Sequence, residues 1–224
     1  MEWKNMHIAA DIVVFTVSRG ILQVLLIKRK NPPFKGQFAL PGGFVEIDES
    51  LEEAAVRELE EETGVKDIFI KKLTAYGDVN RDSRGRVVSI AFMALIDSEK
   101  FNLESKGDAM EAQWINANQI KSLAFDHMQI LSDALSELRY EIQTTNIAAQ
   151  ILPEKFTLTE LQELYERILD EKLDKRNFRK RIKALGILIV TRETKMEGAH
   201  RPALLYRFRS RDYKPLKDRI HVFL

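Results

Sequence analysis

The sequence predicts an α/β module followed by a small winged helix-turn-helix module. Three observations carry that reading. The first hundred residues alternate β-branched, apolar runs with one strong helix, whereas the chain from Thr157 onward reads as two helices and then two strands. Pro153 interrupts the chain between the two patterns. Charge changes sign there too: residues 1–150 carry 17 Lys and Arg against 23 Asp and Glu, and residues 151–224 carry 18 against 11. The boundary is expected between Thr144 and Phe156, giving modules 1–147 and 148–224. An acidic front suits cations and a basic back suits polyanions.

A chain of 224 residues suits one large domain or two small ones, and 45% hydrophobic content is enough to bury a core. The absence of cysteine excludes disulfides and thiolate sites and fits a reducing compartment. The longest apolar runs, IAADIVVFTV and ILQVLLI, are too short to span a bilayer, and the start MEWKNMHIAADIVV lacks a signal-peptide pattern. A cytoplasmic location is expected.

In chain order, HIAADIVVFTV and ILQVLLIKR read as strands joined at Ser18-Arg19-Gly20, a hairpin signal. NPPFKGQ is a loop, because Pro32 and Pro33 forbid regular structure. FALPGGF is a short strand running into a Gly-Gly turn. Ser50 to Glu62 is a helix of good helix formers, with Gly64 as its left-handed terminator. DIFIKKLTAYG and RVVSIAFMALI read as strands around the polar connection NRDSRGR. From Asp126 to about Thr144, Met128, Leu131, Ala134, Leu135 and Leu138 repeat at helical spacing. Thr157 and Glu160 form a capping-box signature ahead of LTELQELYERIL. DKRNFRKRIKAL is a second helix, capped by Asp174 and ended by Gly186. ILIVTRE and ALLYRFR are strands around the tip TKMEGAHRP.

The stretch from Gly42 to Val65 holds nine acidic residues and one Arg. At about 100° per helical residue, Glu58, Glu61 and Glu62 share one face, while Glu52, Glu53 and Glu60 point elsewhere. Carboxylates that converge repel unless a cation neutralises them, and Mg²⁺ or Mn²⁺ takes oxygen ligands of this kind together with phosphate oxygens. Arg57 lies within reach of Glu53 and Glu61. A solvated surface helix is the plain alternative for any charge run. The spacing argues against it: Gly43, five residues, Glu49, seven residues, Arg57-Glu58-Leu59, one residue, Glu61-Glu62, one residue, Gly64-Val65.

With every one of those positions in register, the chain resembles the Nudix hydrolases. The resemblance implies an α/β/α sandwich with a mixed sheet and a metal-dependent hydrolase that cleaves nucleoside diphosphates linked to another moiety. It implies Glu58, Glu61 and Glu62 as metal ligands, with a backbone carbonyl at or near Gly43. Glu61, Glu58 and Arg57 become the catalytic set, Arg57 orienting the carboxylates, and Glu49 is mainly structural. The flanks NPPFKGQFALPGGFV and GDVNRDSRGRVVSIAFMAL look like the branch that handles ADP-ribose or related sugar nucleotides. Arg81, Arg84 and Arg86 then become contacts for phosphate or ribose, against the alternative of a solvated loop. SLAFDH resembles the same branch, with His127 read as a packed or capping residue rather than a catalytic one.

In the basic module, Phe178, Ile182 and Leu185 face a core while Arg176, Arg179, Lys180 and Lys183 occupy the opposite side. Two helices, the second basic, and then a two-stranded wing form the winged helix-turn-helix arrangement, whose outer face suits duplex DNA. Lys195, His200 and Arg201 sit at the wing tip, and Arg201 joins the expected DNA contacts. The alternative is an accessory or dimerisation module. Over nearly the whole chain, FTLTELQELYERIL, LDKRNFRKRIKALGIL and RPALLYRF are similar to the Nudix-related transcriptional regulators of NAD and sugar metabolism. That resemblance implies an ADP-ribose-type effector, operator DNA and a homodimer. Many members of that group have a degraded box, whereas this chain keeps every position, which leaves turnover open. The alternative is a plain metal-dependent Nudix hydrolase with a C-terminal dimerisation domain.

Overall fold

A computed structural model describes residues 6–104, 107–196 and 202–216. The chain divides into two compact units, one of Met1–Thr16 and Leu22–Leu135, the other of Val17–Ile21 and Ser136–Leu224.

The first unit is built on a seven-stranded mixed sheet. Its strands are β1 (Met6–Ser18), β2 (Ile21–Arg29), β3 (Phe38–Ala39), β4 (Gly42–Phe44), β5 (Lys71–Tyr76), β6 (Arg86–Leu95) and β7 (Ala109–Asn116). The order is β3-β2-β1-β6-β5, with β4 on β1 and β7 on β2. β1 runs parallel to β6, while the β5–β6, β2–β3 and β2–β7 pairs are antiparallel. The hairpin signal at Arg19-Gly20 corresponds to two left-handed residues, φ 50° and 72°, the twist that a tight hairpin needs.

Residues Ala9 to Phe15 of β1 are buried without alternation, so the sheet is covered on both faces. Ala10, Ile12 and Val14 pack with Leu25 and Phe92 against Ala54, Ala55 and Leu59 of helix α1 (Leu51–Thr63). Helix α2 (His127–Thr144) buries Ile130, Leu131, Ala134 and Leu138. Of the expected apolar stripe, Met128 is exposed. Two differences from the sequence reading stand out. The run from Asp67 becomes strand only at Lys71, and AMEAQWIN, which has no clean alternation, forms β7 by pairing with β2.

The second unit holds α3 (Ala148–Ile151), β8 (Phe156–Thr157), α4 (Leu158–Leu169), α5 (Lys175–Ala184), β9 (Leu188–Lys195) and β10 (Ala203–Phe208). The three strands form a sheet in the order β8-β10-β9. Both helix starts form as the sequence dictates. Thr157 and Glu160 make a reciprocal capping box, and Asp174 accepts from the Asn177 amide. Tyr165 and Phe178 meet edge to face at 5.3 Å, and Phe156 packs on Phe208 at 5.0 Å, so helices and wing share one core. Arg211 closes α3: its guanidinium donates to the carbonyls of Ala149, Leu152 and Pro153. Asn146 holds the same segment by donating to Ser210 and Asp212 carbonyls and accepting from the Lys214 amide. Among the described residues, no helix is long and apolar enough to cross a membrane.

Candidate functional site

Helix α1 is positioned by its ends. Ser50 and Glu53 form a capping box at the start, and Gly64 closes the other end in the left-handed conformation, φ 77°. Between them the carboxylates separate by environment. Glu52, Glu53 and Glu60 are exposed, and Glu60 pairs with Lys66 at 3.1 Å. Glu62 is buried and accepts from the Gly42 amide at 3.0 Å. Burial pushes its pKa up to about 8, against that hydrogen bond, and the Glu58 charge adds to the rise. Burial raises the Glu58 carboxyl as well.

The Gly42-Gly43 turn is a cradle for these groups. A Cβ on Gly43 would stand 2.1 Å from Oε1 of Glu58, so the carboxylate occupies the space that a side chain would fill. A Cβ on Gly42 would meet the Ala10 carbonyl at 2.4 Å, and Gly42 has a φ of 151°. β4 pairs this turn with β1, setting Asp11 opposite Gly42.

Arg57 ties the arrangement together. It donates to both oxygens of Glu49, at 2.9 and 2.7 Å, to Glu58 at 2.9 Å and to the Phe44 carbonyl at 3.1 Å. Hydrogen bonds from Arg57 and from the Glu46 amide hold the Glu49 pKa down to about 2. The helical wheel put three carboxylates on one face, but the structure separates them by depth. Glu58 and Glu62 lie against the glycine turn, while Glu61 is 56% exposed at the rim, 3.7 Å from Arg57. Among the described residues, no group of three or more His, Cys, Asp or Glu stands close enough to hold a metal by itself. The donor set still fits a hard divalent cation, which takes one or two carboxylates and completes its shell with water and phosphate oxygens. It is all oxygen, and the buried Glu62 and half-buried Glu58 both lie against the glycine turn.

The three arginines of the 78–86 connection have different placements. Arg81 is turned inward, its side chain only 4% exposed, donating to Asp126 at 2.6 and 2.8 Å and to Asp11 at 3.4 Å. Arg84 is half exposed, gripped by the buried Asp82, with its guanidinium 4.8 Å from the Phe44 ring and 5.3 Å from Phe125. Arg86 donates to the Gly77 carbonyl at 2.7 Å. His127 now has a role in the geometry. It is buried, and its Nδ1 accepts from the Leu40 amide at 2.9 Å. Burial lowers its pKa, so the ring is neutral, with its proton on Nε2, 3.6 Å from Asp11.

Sequence reasoning passed over Arg29 and Phe125. Arg29 ends β2 with its guanidinium 4.9 Å from the Phe125 ring, and Phe34 meets that ring at 4.8 Å. The only signal was a basic run at the end of a strand, KRK before the Pro-Pro loop.

In the second unit, α5 exposes Arg176, Lys180 and Lys183, with Phe178 and Ile182 buried beneath. Lys175, Arg179 and Lys183 also line a cavity of about 830 Å³, together with the α4 start and the wing strands. Arg179 donates to Thr159 at 3.3 Å, and its Nε is buried with no partner among the described residues. Lys195 is paired with Glu160 at 2.6 Å. Arg201 and His200, expected at the wing tip, lie outside the described residues.

Comparison with known proteins bears on both units. The NUDIX domain profile matches residues 5–135, and that of the NrtR DNA-binding winged helix domain matches residues 148–208. The chain is 37% identical over 216 residues to an ADPR responsive transcriptional repressor, NtrR, of Acinetobacter baylyi, covering 95% of this chain and 86% of that protein. It is 50% identical over 111 residues to an ADP-ribose pyrophosphatase of Methanocaldococcus jannaschii, covering 50% of this chain and 64% of that one. Among solved structures, Shewanella oneidensis NrtR complexed with a 27mer DNA superposes with a TM-score of 0.78 at 35% identity, covering 90% of this chain and 93% of that one.

Proposed function

The chain belongs to the Nudix family and carries a winged helix domain of the NrtR DNA-binding type, and from that premise we propose that it is an ADP-ribose-responsive transcriptional repressor whose Nudix domain also hydrolyses its effector. The observation that carries the proposal is the union, in one chain, of an intact acidic cradle and a basic helix with its outer face exposed. Likeness to the Acinetobacter repressor over 95% of the chain supports it. The DNA-binding profile over residues 148–208 favours a regulator over a plain hydrolase with a dimerisation domain.

In this reading Glu58, Glu61, Glu62 and a carbonyl at Gly43 hold the divalent cation, Mg²⁺ or Mn²⁺. A cation there supplies charge neutralisation and Lewis acidity to the phosphoanhydride. Arg57 keeps Glu58 aimed at the glycine turn by anchoring it to Glu49 and Phe44. Glu61, the most exposed of the three, is the carboxylate free to accept a proton from the attacking water. Arg84 and Arg86 reach the ligand's phosphate or ribose, and Arg81 supports them from within. Water adds across the diphosphate to leave AMP and ribose 5-phosphate. Arg176, Arg179, Lys180 and Lys183 meet operator DNA, joined by Arg201 in the wing, and a homodimer in the cytoplasm reads two half-sites.

The test has two arms. ADP-ribose with Mg²⁺ should yield AMP and ribose 5-phosphate, and no turnover on any nucleoside diphosphate would remove the enzymatic half. A duplex from the region upstream of the gene should bind and be released by ADP-ribose. Binding that ignores ADP-ribose would remove the regulatory half.

A further inference from the structure

Between β3 and β4 the chain changes partner strands. β3 pairs with β2 and β4 pairs with β1, so Leu40 and Pro41 stand between two ladders. Pro41 has no N–H to donate, and its carbonyl accepts from the Ile12 amide at 2.9 Å. Leu40 is buried and belongs to neither ladder, and a buried amide without an acceptor is costly. Its acceptor is Nδ1 of His127 at 2.9 Å, offered from the start of α2. Two residues further on, the Gly42 amide donates to Glu62 at 3.0 Å. Side chains thus fix the segment leading into the glycine turn where the sheet does not.

His127 can do this in one tautomer only. Nδ1 must be bare to accept, so the proton of the neutral ring is on Nε2. That atom stands 3.6 Å from Oδ1 of Asp11. Oδ2 of Asp11 accepts from the Ser89 hydroxyl at 2.5 Å and from Arg81 at 3.4 Å. Arg81 closes the circuit by gripping both oxygens of Asp126, the neighbour of His127 in sequence. Asp11, Ser89 and His127 are all buried. Charges are costly to bury, and here they are joined in one network of partners. The network stands directly behind the turn: a Cβ on Gly42 would lie 2.8 Å from Oδ1 of Asp11.

We propose that His127, oriented by Asp11, is a positioning residue that sets the Leu40–Gly43 segment, and through it the Gly43 carbonyl and the Glu62 carboxylate, at the spacing a divalent cation needs. The inference rests on the reading of Glu58, Glu61, Glu62 and Gly43 as the cation site. His127 acts through the backbone and touches neither cation nor nucleotide. It removes freedom from atoms that must be placed to within a fraction of an ångström, as the outer partners of metal ligands do, and losing such a partner costs about 10–100-fold in metal affinity.

Two amide variants separate placement from bulk. In His127→Asn the side-chain oxygen comes close to the place of Nδ1. In His127→Gln the oxygen reaches toward the place of Nε2 and leaves the Leu40 amide without its acceptor, although Gln fills more of the ring's volume. Mn²⁺ binding to the full chain, read by electron paramagnetic resonance, should weaken about tenfold or more in His127→Gln and much less in His127→Asn. In metal-free protein the Leu40 amide should exchange slowly in the parent and in His127→Asn and faster in His127→Gln. The kcat for ADP-ribose at fixed Mn²⁺ should fall in the same order. The reverse order of Mn²⁺ affinity would make His127 a space-filling core residue and overturn the proposal, as would equal affinity in all three proteins. Should both variants fail to fold, Ser89→Ala, which takes one donor from Asp11, should weaken Mn²⁺ about threefold, and unchanged affinity there would overturn the proposal. A parent that binds Mn²⁺ and loses it in the expected order, yet turns over no ADP-ribose, would uphold the positioning role and remove the hydrolase reading. A parent that binds no Mn²⁺ would overturn the proposal together with the cation site beneath it.

Discussion

Helices α1 and α5 are both dense in one sign of charge, yet they use it in opposite ways. In α1 two of the three charges that matter are drawn inward, and Glu61 stays at the rim. Glu62 is buried, Glu58 lies over a glycine, and neither has a cation fully to itself. In α5, Arg176, Lys180 and Lys183 stand in water over an apolar seam, and Arg179 turns partly inside. Charge that is buried and crowded waits for one ligand at one point, and it stores repulsion until that ligand arrives. Charge that is spread in solvent costs little and acts through its field on an extended polyanion. Point recognition therefore depends on ångström placement, and field recognition depends on number and salt.

The comparison breaks first at the cradle. Glu58→Gln, Glu61→Gln and Glu62→Gln should each lower ADP-ribose turnover by about a hundredfold or more, by analogy with removing one preorganised charged group from an active site. DNA binding without effector should be unchanged. Equal turnover in any variant would show that its carboxylate takes no part in the reaction. Above about pH 8, where the buried Glu62 carboxyl of the metal-free parent ionises, the Glu62→Gln protein should melt no lower than the parent, because a crowded buried charge is gone.

At α5, Arg176→Ala with Lys180→Ala should weaken operator binding by about ten- to a hundredfold and reduce the salt dependence by roughly two phosphate contacts. Gel shifts at several salt concentrations would read this. A uniform loss with an unchanged salt slope would mean that the two residues do not touch phosphate.

The two glycines sharpen the contrast between placement and fold. Gly43→Ala should abolish most turnover while leaving the melt close to the parent's, since the added Cβ meets only the movable end of Glu58. Gly42→Ala should cost stability outright, because its Cβ meets the Ala10 backbone. The smallest effect is expected at the α4 cap, where Thr157→Ala should cost about 1 kcal/mol in chemical denaturation and leave turnover alone.

What was legible in the sequence was local. Ser50, Glu53 and Gly64 bound α1, and Thr157, Glu160 and Asp174 start α4 and α5, because caps are built from residues a few positions apart. The Nudix spacing named the carboxylates for the same reason. It did not give their depths, since burial of Glu62 and exposure of Glu61 depend on how β4 folds back over β1. β7 escaped notice because AMEAQWIN has no clean alternation and exists as a strand only by pairing with β2. α3 is four residues long, too short for periodicity. Arg81 looked like a ligand contact until Asp11 and Asp126, 70 and 45 residues away, turned it inward. His127 had no chemistry in the sequence because its partner is the amide of Leu40, 87 residues earlier. Arg29 and Phe125 meet through two loops whose left-handed aromatic residues no pattern announces.

One detail of the second unit bears on how the chain comes to be assembled. A helix of four residues cannot nucleate by itself, since fixing its first turn costs more than its single bond returns. The carbonyls at the end of α3 are instead met by Arg211, which leaves the ribosome some sixty residues later. α4, α5 and the wing are all synthesised before that guanidinium exists. Residues 148–152 therefore spend most of synthesis without that partner. Emergence order and spatial order run opposite here, so stalling the chain before residue 211 should leave α3 exchanging its amides with solvent while α1, some hundred residues upstream, is already protected.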